Sequence, residues 1–207
     1  MGLIRLLFAD PLTFILLAIP LLYSIIIHEL AHGWVAYWMG DSTAKWLGRL
    51  SLDPRRHLDV VGTLALFIVG FGWAKPVPVN FENLRDQRKG LIFVSSAGII
   101  ANIILAFLSF FALRLFSPVL SERLYIMLMS MGQINIMLAS FNLIPIPPLD
   151  GSKILMGFSS RRFQYTLQQL EPYGMFILIG LLFLGWLDRP IIFIRQIILG
   201  IIGILIP

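Results

Sequence analysis

Leu21-Leu22-Tyr23-Ser24-Ile25-Ile26-Ile27-His28-Glu29-Leu30-Ala31-His32-Gly33-Trp34-Val35-Ala36-Tyr37-Trp38 is an apolar run with two imidazoles and a carboxylate set into it. Ionisable groups at membrane depth are costly and mark function. On an α-helix, residues four apart lie about 40° apart around the axis and about 6 Å apart along it. His28 and His32 therefore share one face and can grip one metal ion. Glu29 lies about 100° round from His28, where it reaches a water on that metal without being a ligand. This is zinc-site spacing with a general base beside it, and a third protein ligand is still to be found. Histidines four apart also serve as interhelical hydrogen-bonding groups. Against that bland reading, two of the chain's three histidines flank Glu29 here.

Outward from this stretch, composition agrees with a membrane setting. Of 207 residues, 58% are hydrophobic and 13% charged, which a soluble fold could not bury. There is no cysteine, so no disulfide framework exists and any metal must take His, Asp or Glu. The net charge of +5 is not a nucleic-acid signature, because the basic residues sit in short loops between apolar runs. The first apolar run is too long for a removable signal peptide and carries the metal motif. The loops are too short for a second folded unit, so a single domain is expected over 1–207.

Pro11 suits a helix start, and the first helix is expected from Pro11 to about Met39, with Pro20 a possible kink. Arg49-Leu50-Ser51-Leu52 before Asp53-Pro54 reads as a short strand and turn. Val60–Trp73 is apolar but short for a span, and suits a re-entrant segment. Gly70-Phe71-Gly72 marks a turn. Ala74–Asn80 must be extended, since Pro76 and Pro78 forbid a helix. Leu91–Phe116 and Leu124–Ile144 are full spans with small and polar stripes: Ser95, Gly98 and Asn102 on one, Gly132, Asn135, Ala139 and Asn142 on the other. Pro145–Gly151 breaks the second and leaves Asp150 in extended backbone. Tyr173–Leu187 and Ile191–Ile206 read as two further helices. The expected fold is all-α and polytopic: about five transmembrane helices, a re-entrant segment and short extended or β-hairpin elements near the cytoplasmic face.

Charge placement selects among topologies. With Val60–Trp73 re-entrant, Lys45, Arg49, Arg55, Arg56, Lys75, Arg85, Arg88, Lys89, Lys153, Arg161 and Arg162 share one side, eleven against four (Arg5, Arg114, Arg123, Arg189). The positive-inside rule then puts the long loops in the cytoplasm. With a crossing segment the counts become seven and eight, and the rule is silent. The re-entrant choice also brings Asp150 to the membrane face that holds His28 and His32, where it can meet them as a candidate third ligand.

Five blocks in order carry a resemblance: His28-Glu29-Leu30-Ala31-His32; Gly48–Asp59 (GRLSLDPRRHLD); Gly72–Asn80 (GWAKPVPVN); Ala97–Asn102 (AGIIAN); and Asn142–Gly151 (NLIPIPPLDG). The chain resembles the site-2 protease family, the intramembrane zinc metallopeptidases, in its minimal prokaryotic form. The resemblance runs from about Ile25 to Gly151. It implies one zinc per chain held by His28, His32 and Asp150, Glu29 as general base, and Asn142 near the reacting carbonyl. It implies a catalytic core over 11–151 with two accessory helices in 152–207. Asp53 and Ile99 depart from the Asn and Pro that members often carry, which bears on loop and helix geometry and not on the metal.

The expected activity is hydrolysis of peptide bonds in transmembrane substrates, in a multi-pass cell-membrane protein whose active site lies towards the cytoplasm. The competing class is a non-proteolytic metal-binding membrane protein or a divalent-metal carrier. It would need His28, His32 and Asp150 but not Glu29, and a carrier would need further acidic residues through the bilayer. Asp150 also reads as a turn residue, Asn142 as an interhelical hydrogen-bonding group. Asn102 and Asn135 read as packing groups, and His57 as part of a solvated loop. The Pro76/Pro78 edge reads as a structural loop or as a strand that an unwound substrate could join.

Overall fold

The computed structural model describes residues 7–69, 72 and 74–206. Three helices are long and apolar enough to cross a membrane: α1 (Pro11–Trp38), α4 (Gln87–Phe116) and α5 (Glu122–Asn142). Shorter helices are α2 (Thr43–Trp46), α3 (Val60–Val69), α6 (Asp150–Phe158), α7 (Arg161–Leu170), α8 (Gly174–Phe183) and α9 (Asp188–Leu205).

Local chemistry sets the ends of the spans. Asp10 caps α1 through its Oδ1, which accepts from Thr13 N at 3.1 Å, and Pro11 takes the first helical position, where no N–H is needed. Pro20 lies inside α1, yet the helix runs on for 28 residues. Asp86 and Ser121 cap α4 and α5. Each of these removes one orphan N–H from a helix end.

The spans are packed with small and polar residues inward and large apolar residues outward. On α4, Gly98, Asn102, Ala106 and Ser109 are buried, while Ile100, Ile104 and Leu108 are exposed. That inverted pattern suits lipid, where close backbone approach and interhelical hydrogen bonds replace an apolar core. Helix α9 closes the bundle: its Ile198 and Ile202 pack with Ile99, Ala106, Ile136 and Ala139.

Three expectations are corrected. No strand occurs among the described residues, so the short β elements are absent there. Around 49–52 the backbone bonds locally instead of in a ladder: Arg49 N donates to Ala44 O at 2.8 Å, Gly48 O accepts from Arg56, and Ser51 O accepts from His57 Nε2 at 2.7 Å. Asp150 is not in extended backbone; it is the first residue of α6, where a carboxylate meets the positive end of the helix dipole. By length and composition, the last apolar stretch offers at most one bent crossing among the described residues. Helix α8 has ten residues, about 15 Å against a core of about 30 Å. Its Leu178 packs with Leu187, Ile191, Ile144 and Leu149, so the break before α9 sits at the α6 end of α5. Gly185, at φ +67, turns the chain there. The α7–α8 segment meets α9 at 90°, and counting that pair as one bent span gives four at most, not five.

Helix α3 is present over Val60–Val69. The rest of the expected Val60–Trp73 segment, and the Gly70-Phe71-Gly72 turn, fall on residues mostly outside those described. The stretch 74–80 is extended as the prolines require, and side chains hold it instead of a partner strand. Arg49 Nη2 donates to Lys75 O at 2.8 Å and Pro76 O at 3.1 Å, and Lys75 N donates to His57 O at 2.8 Å. Asp41 Oδ2 accepts from Asn80 N at 2.7 Å.

Candidate metal centre

His28 and His32 sit one turn apart on α1 and are buried. Asp150 reaches them from the start of α6. The two Nε2 atoms are 3.0 Å apart, and Asp150 Oδ2 lies 3.1 Å from each. These three are the metal-capable group found among the described residues.

The proton positions decide what this triangle is. His32 Nδ1 faces Val94 O at 2.6 Å, an acceptor only, so it carries the proton. His28 Nδ1 faces Asn102 Oδ1 at 2.6 Å. Asn102 turns its Nδ2 to Asn135 Oδ1 at 2.7 Å, so its Oδ1 accepts from His28. Both Nε2 atoms are then bare lone pairs, and they face a carboxylate oxygen that has no hydrogen-bond donor although it is buried. Three lone pairs at mutual contact repel unless a cation sits among them. The corners of a zinc tetrahedron with bonds of about 2.0–2.1 Å lie about 3.3 Å apart, close to the spacing here. The donor set and its spacing fit zinc.

The supports lie on α4 and α5. Gly98 is required by contact: a Cβ there would stand 2.5 Å from His28 Cε1 and from His32 Nε2. Beyond Asn102, Asn135 Nδ2 donates to Ser24 Oγ at 2.7 Å, returning the chain of bonds to α1. Ser24, Asn102 and Asn135 have no exposed surface. Asn102 and Asn135, read from the sequence as packing groups, thus form a fully buried relay that fixes the tautomer and orientation of His28.

Glu29 is half-buried, and its Oε2 accepts from Val77 N at 2.8 Å. Val77 lies between two prolines that have no N–H, so this is the one donor in that tripeptide. Its side chain abuts α1 at Gly33. The edge of 75–80 has therefore given several of its groups to Arg49, His57, Glu29 and Asp41. Asn142 is half-buried, and its Nδ2 donates to Leu138 O at 3.0 Å, one turn back on its own helix. Among the described residues it makes no hydrogen bond to the triangle. His57 is fully buried, not solvated, with Nε2 on Ser51 O.

Residues 16–126 and 117–185 match the model of Peptidase family M50. The chain belongs to that family. Three proteins named as candidate zinc metalloproteases are similar to this M50 chain. YwhC of Bacillus subtilis is 42% identical over 80% of this chain and 78% of its own length. Rip2 of Mycobacterium tuberculosis (strain H37Rv) is 31% identical over 83% of this chain and 66% of its own length. MJ0611 of Methanocaldococcus jannaschii is 31% identical over 70% of this chain and 71% of its own length. No solved structure matches the chain significantly.

Proposed function

We propose that this M50 chain is a single-domain, zinc-dependent intramembrane endopeptidase that cleaves transmembrane segments of other proteins. The carrying observation is the buried triangle of His28 Nε2, His32 Nε2 and Asp150 Oδ2, set in spanning helices beside Glu29. These three residues would hold one zinc. The ion supplies Lewis acidity, polarising a peptide carbonyl and making a water acidic enough to react near neutral pH.

The rest falls to the chain. Glu29 has Oε2 fixed by the Val77 N–H, which leaves Oε1 to take the water's proton and pass it to the leaving amine. Asn142 spends one of its two amide hydrogens on Leu138 O and keeps the other for the developing oxyanion. Substrates would be helices that unwind locally, since a hydrogen-bonded helix hides its carbonyls.

The site opens towards the cytoplasm. His32 lies six residues, about 9 Å, from Trp38, and Trp34, Trp38 and Trp46 are exposed in the manner of an interfacial aromatic belt. The ten-residue α3, about 15 Å long, is too short to cross a core of about 30 Å, which supports reading Val60–Trp73 as re-entrant. Because the α8–α9 break lies at the α6 end of α5, Arg189 joins the cytoplasmic set, and the basic bias becomes twelve to three.

Glu29→Gln tests this reading. Reconstituted in liposomes with a model transmembrane substrate, the variant is expected to keep its zinc and lose cleavage. Cleavage at the wild-type rate would remove Glu29 as base, and a metal-dependent function untouched by Glu29→Gln would favour the non-proteolytic class.

A further inference from the structure

Arg195 lies on α9, and its Nη2 donates to Gln133 Oε1 of α5 at 2.7 Å. Gln133 is eleven residues from the start of α5 and nine from its end, about 16 Å and about 13 Å along the axis. The guanidinium therefore sits near the middle of a spanning helix. It is not part of the metal centre. Gln133 and Asn135 are two residues apart, about 200° round the helix, and Asn135 faces the relay to His28.

A guanidinium has five N–H donors and no acceptor. This one is exposed and, among the described residues, has one acceptor, a neutral amide. None of the ion pairs among the described residues includes it. An intramembrane cation without a counter-charge is costly, and such residues mark a partner or a path. The chain's own acids do not supply the partner. Of the eleven, Glu29 is the one inside a spanning helix away from its ends, and it is held by Val77 N–H. A second copy therefore brings no free carboxylate to this depth.

The flank of α9 beside Arg195 is shaped for a helix. Ile191, Ile198 and Ile202 are buried against the bundle, whereas Ile192 and Gln196 are exposed and Gly200 and Gly203 have no atom within 4 Å of a notional Cβ. Arg195 stands at the border of the two faces.

We propose that this lipid-facing side of α9 docks a transmembrane helix of another protein that carries an Asp or Glu near the bilayer centre, paired with Arg195. A carboxylate answers two guanidinium N–H groups at once, which an amide cannot.

The test uses the full chain in liposomes, donor-labelled, with acceptor-labelled polyleucine transmembrane peptides bearing Asp, Asn or Leu at the centre. Energy transfer is expected to show the Asp peptide binding about tenfold or more tighter than the Leu peptide, one bidentate charged contact's worth. Arg195→Leu should erase that preference, and Arg195→Glu should transfer it to a peptide with a central Lys. Arg195→Gln keeps a hydrogen-bonding group towards Gln133 and controls for folding, read by zinc content; it too should lose the preference. Equal binding of all three peptides by the wild type would overturn the proposal, as would an unchanged preference in Arg195→Leu. Self-association of labelled chains that depends on Arg195 would overturn it in favour of a second copy.

Discussion

Asn102→Ala isolates the support of one metal ligand. The substitution deletes the acceptor 2.6 Å from His28 Nδ1 and leaves Asn135 Oδ1 without its donor at 2.7 Å. His28 then loses what fixes its tautomer and ring plane, while His32 stays pinned by Val94 O and Asp150 is untouched. Losing one such partner costs about 10–100-fold in metal affinity, about 1.4–2.7 kcal/mol. Orphaning a buried polar group costs stability by about 1–3 kcal/mol as well. Asn135→Ala disturbs the far end of the relay without touching the His28 bond, so its zinc affinity should fall by less than about tenfold. The assay is zinc competition against a chelator series in detergent near neutral pH, with helix content by circular dichroism. Asn102→Ala protein with wild-type helix content and a zinc affinity within about twofold of wild type would refute the relay's role.

Other consequences are as direct. Val77→Pro removes the one N–H that holds Glu29, in a segment whose neighbours are already prolines. A hydrogen bond to a charged group is worth about 1.5–3 kcal/mol, so kcat should fall about tenfold or more with KM and zinc content little changed, whereas Val77→Ala keeps the N–H and most of the rate. Asp41 is buried in the turn after α1. Burial raises its pKa, but donation from Thr43, Asn83 and Asn80 outweighs that and holds the carboxyl below its ordinary range. Its contribution is therefore complete above about pH 4, the unfolded value, and is lost as pH falls through the lower folded value. Limited proteolysis of the 74–83 region should accelerate on acidification in wild type, and Asp41→Asn should be faster already at neutral pH with a flatter profile. The chain has no cysteine, so single cysteines at 55, 75 and 162 can be labelled from one side of sealed vesicles. All three should react from the same side, and a cysteine at 75 that reacts from the side opposite 55 would contradict the re-entrant placement of α3.

The sequence showed the site's local part plainly and its long-range part unevenly. His28, Glu29 and His32 were legible because helix periodicity alone places them. Asp150 was legible through a topological argument, since charge bias and a third ligand demanded the same side. Its backbone was misread, because Pro147-Pro148 signals the end of one helix but not that the next begins at Asp150. Asn102 lies 74 residues from the ring it orients, and no local pattern encodes such a bond. An Asn four residues from Gly98 on one face of an apolar helix was the available hint. Arg49–Leu52 alternates like a strand, yet nearby side chains, not a second strand, take up backbone groups around it, and His57 is drawn inward by Ser51 O instead of remaining solvated. The apolar run after Pro172 suggested two crossings by length. Gly185 turns it, and burial of Leu178 and Leu187 together keeps its first half at one end of the bundle.

The central claim is that His28, His32 and Asp150 hold one zinc ion while Glu29 stays outside the ligand set. Zinc per chain in detergent-purified wild type, Glu29→Gln and Asp150→Ala tests it most directly. The account predicts about one zinc in the first two and clear loss in the third. A full complement in folded Asp150→Ala would contradict it, removing the third ligand and the topology that brings it there.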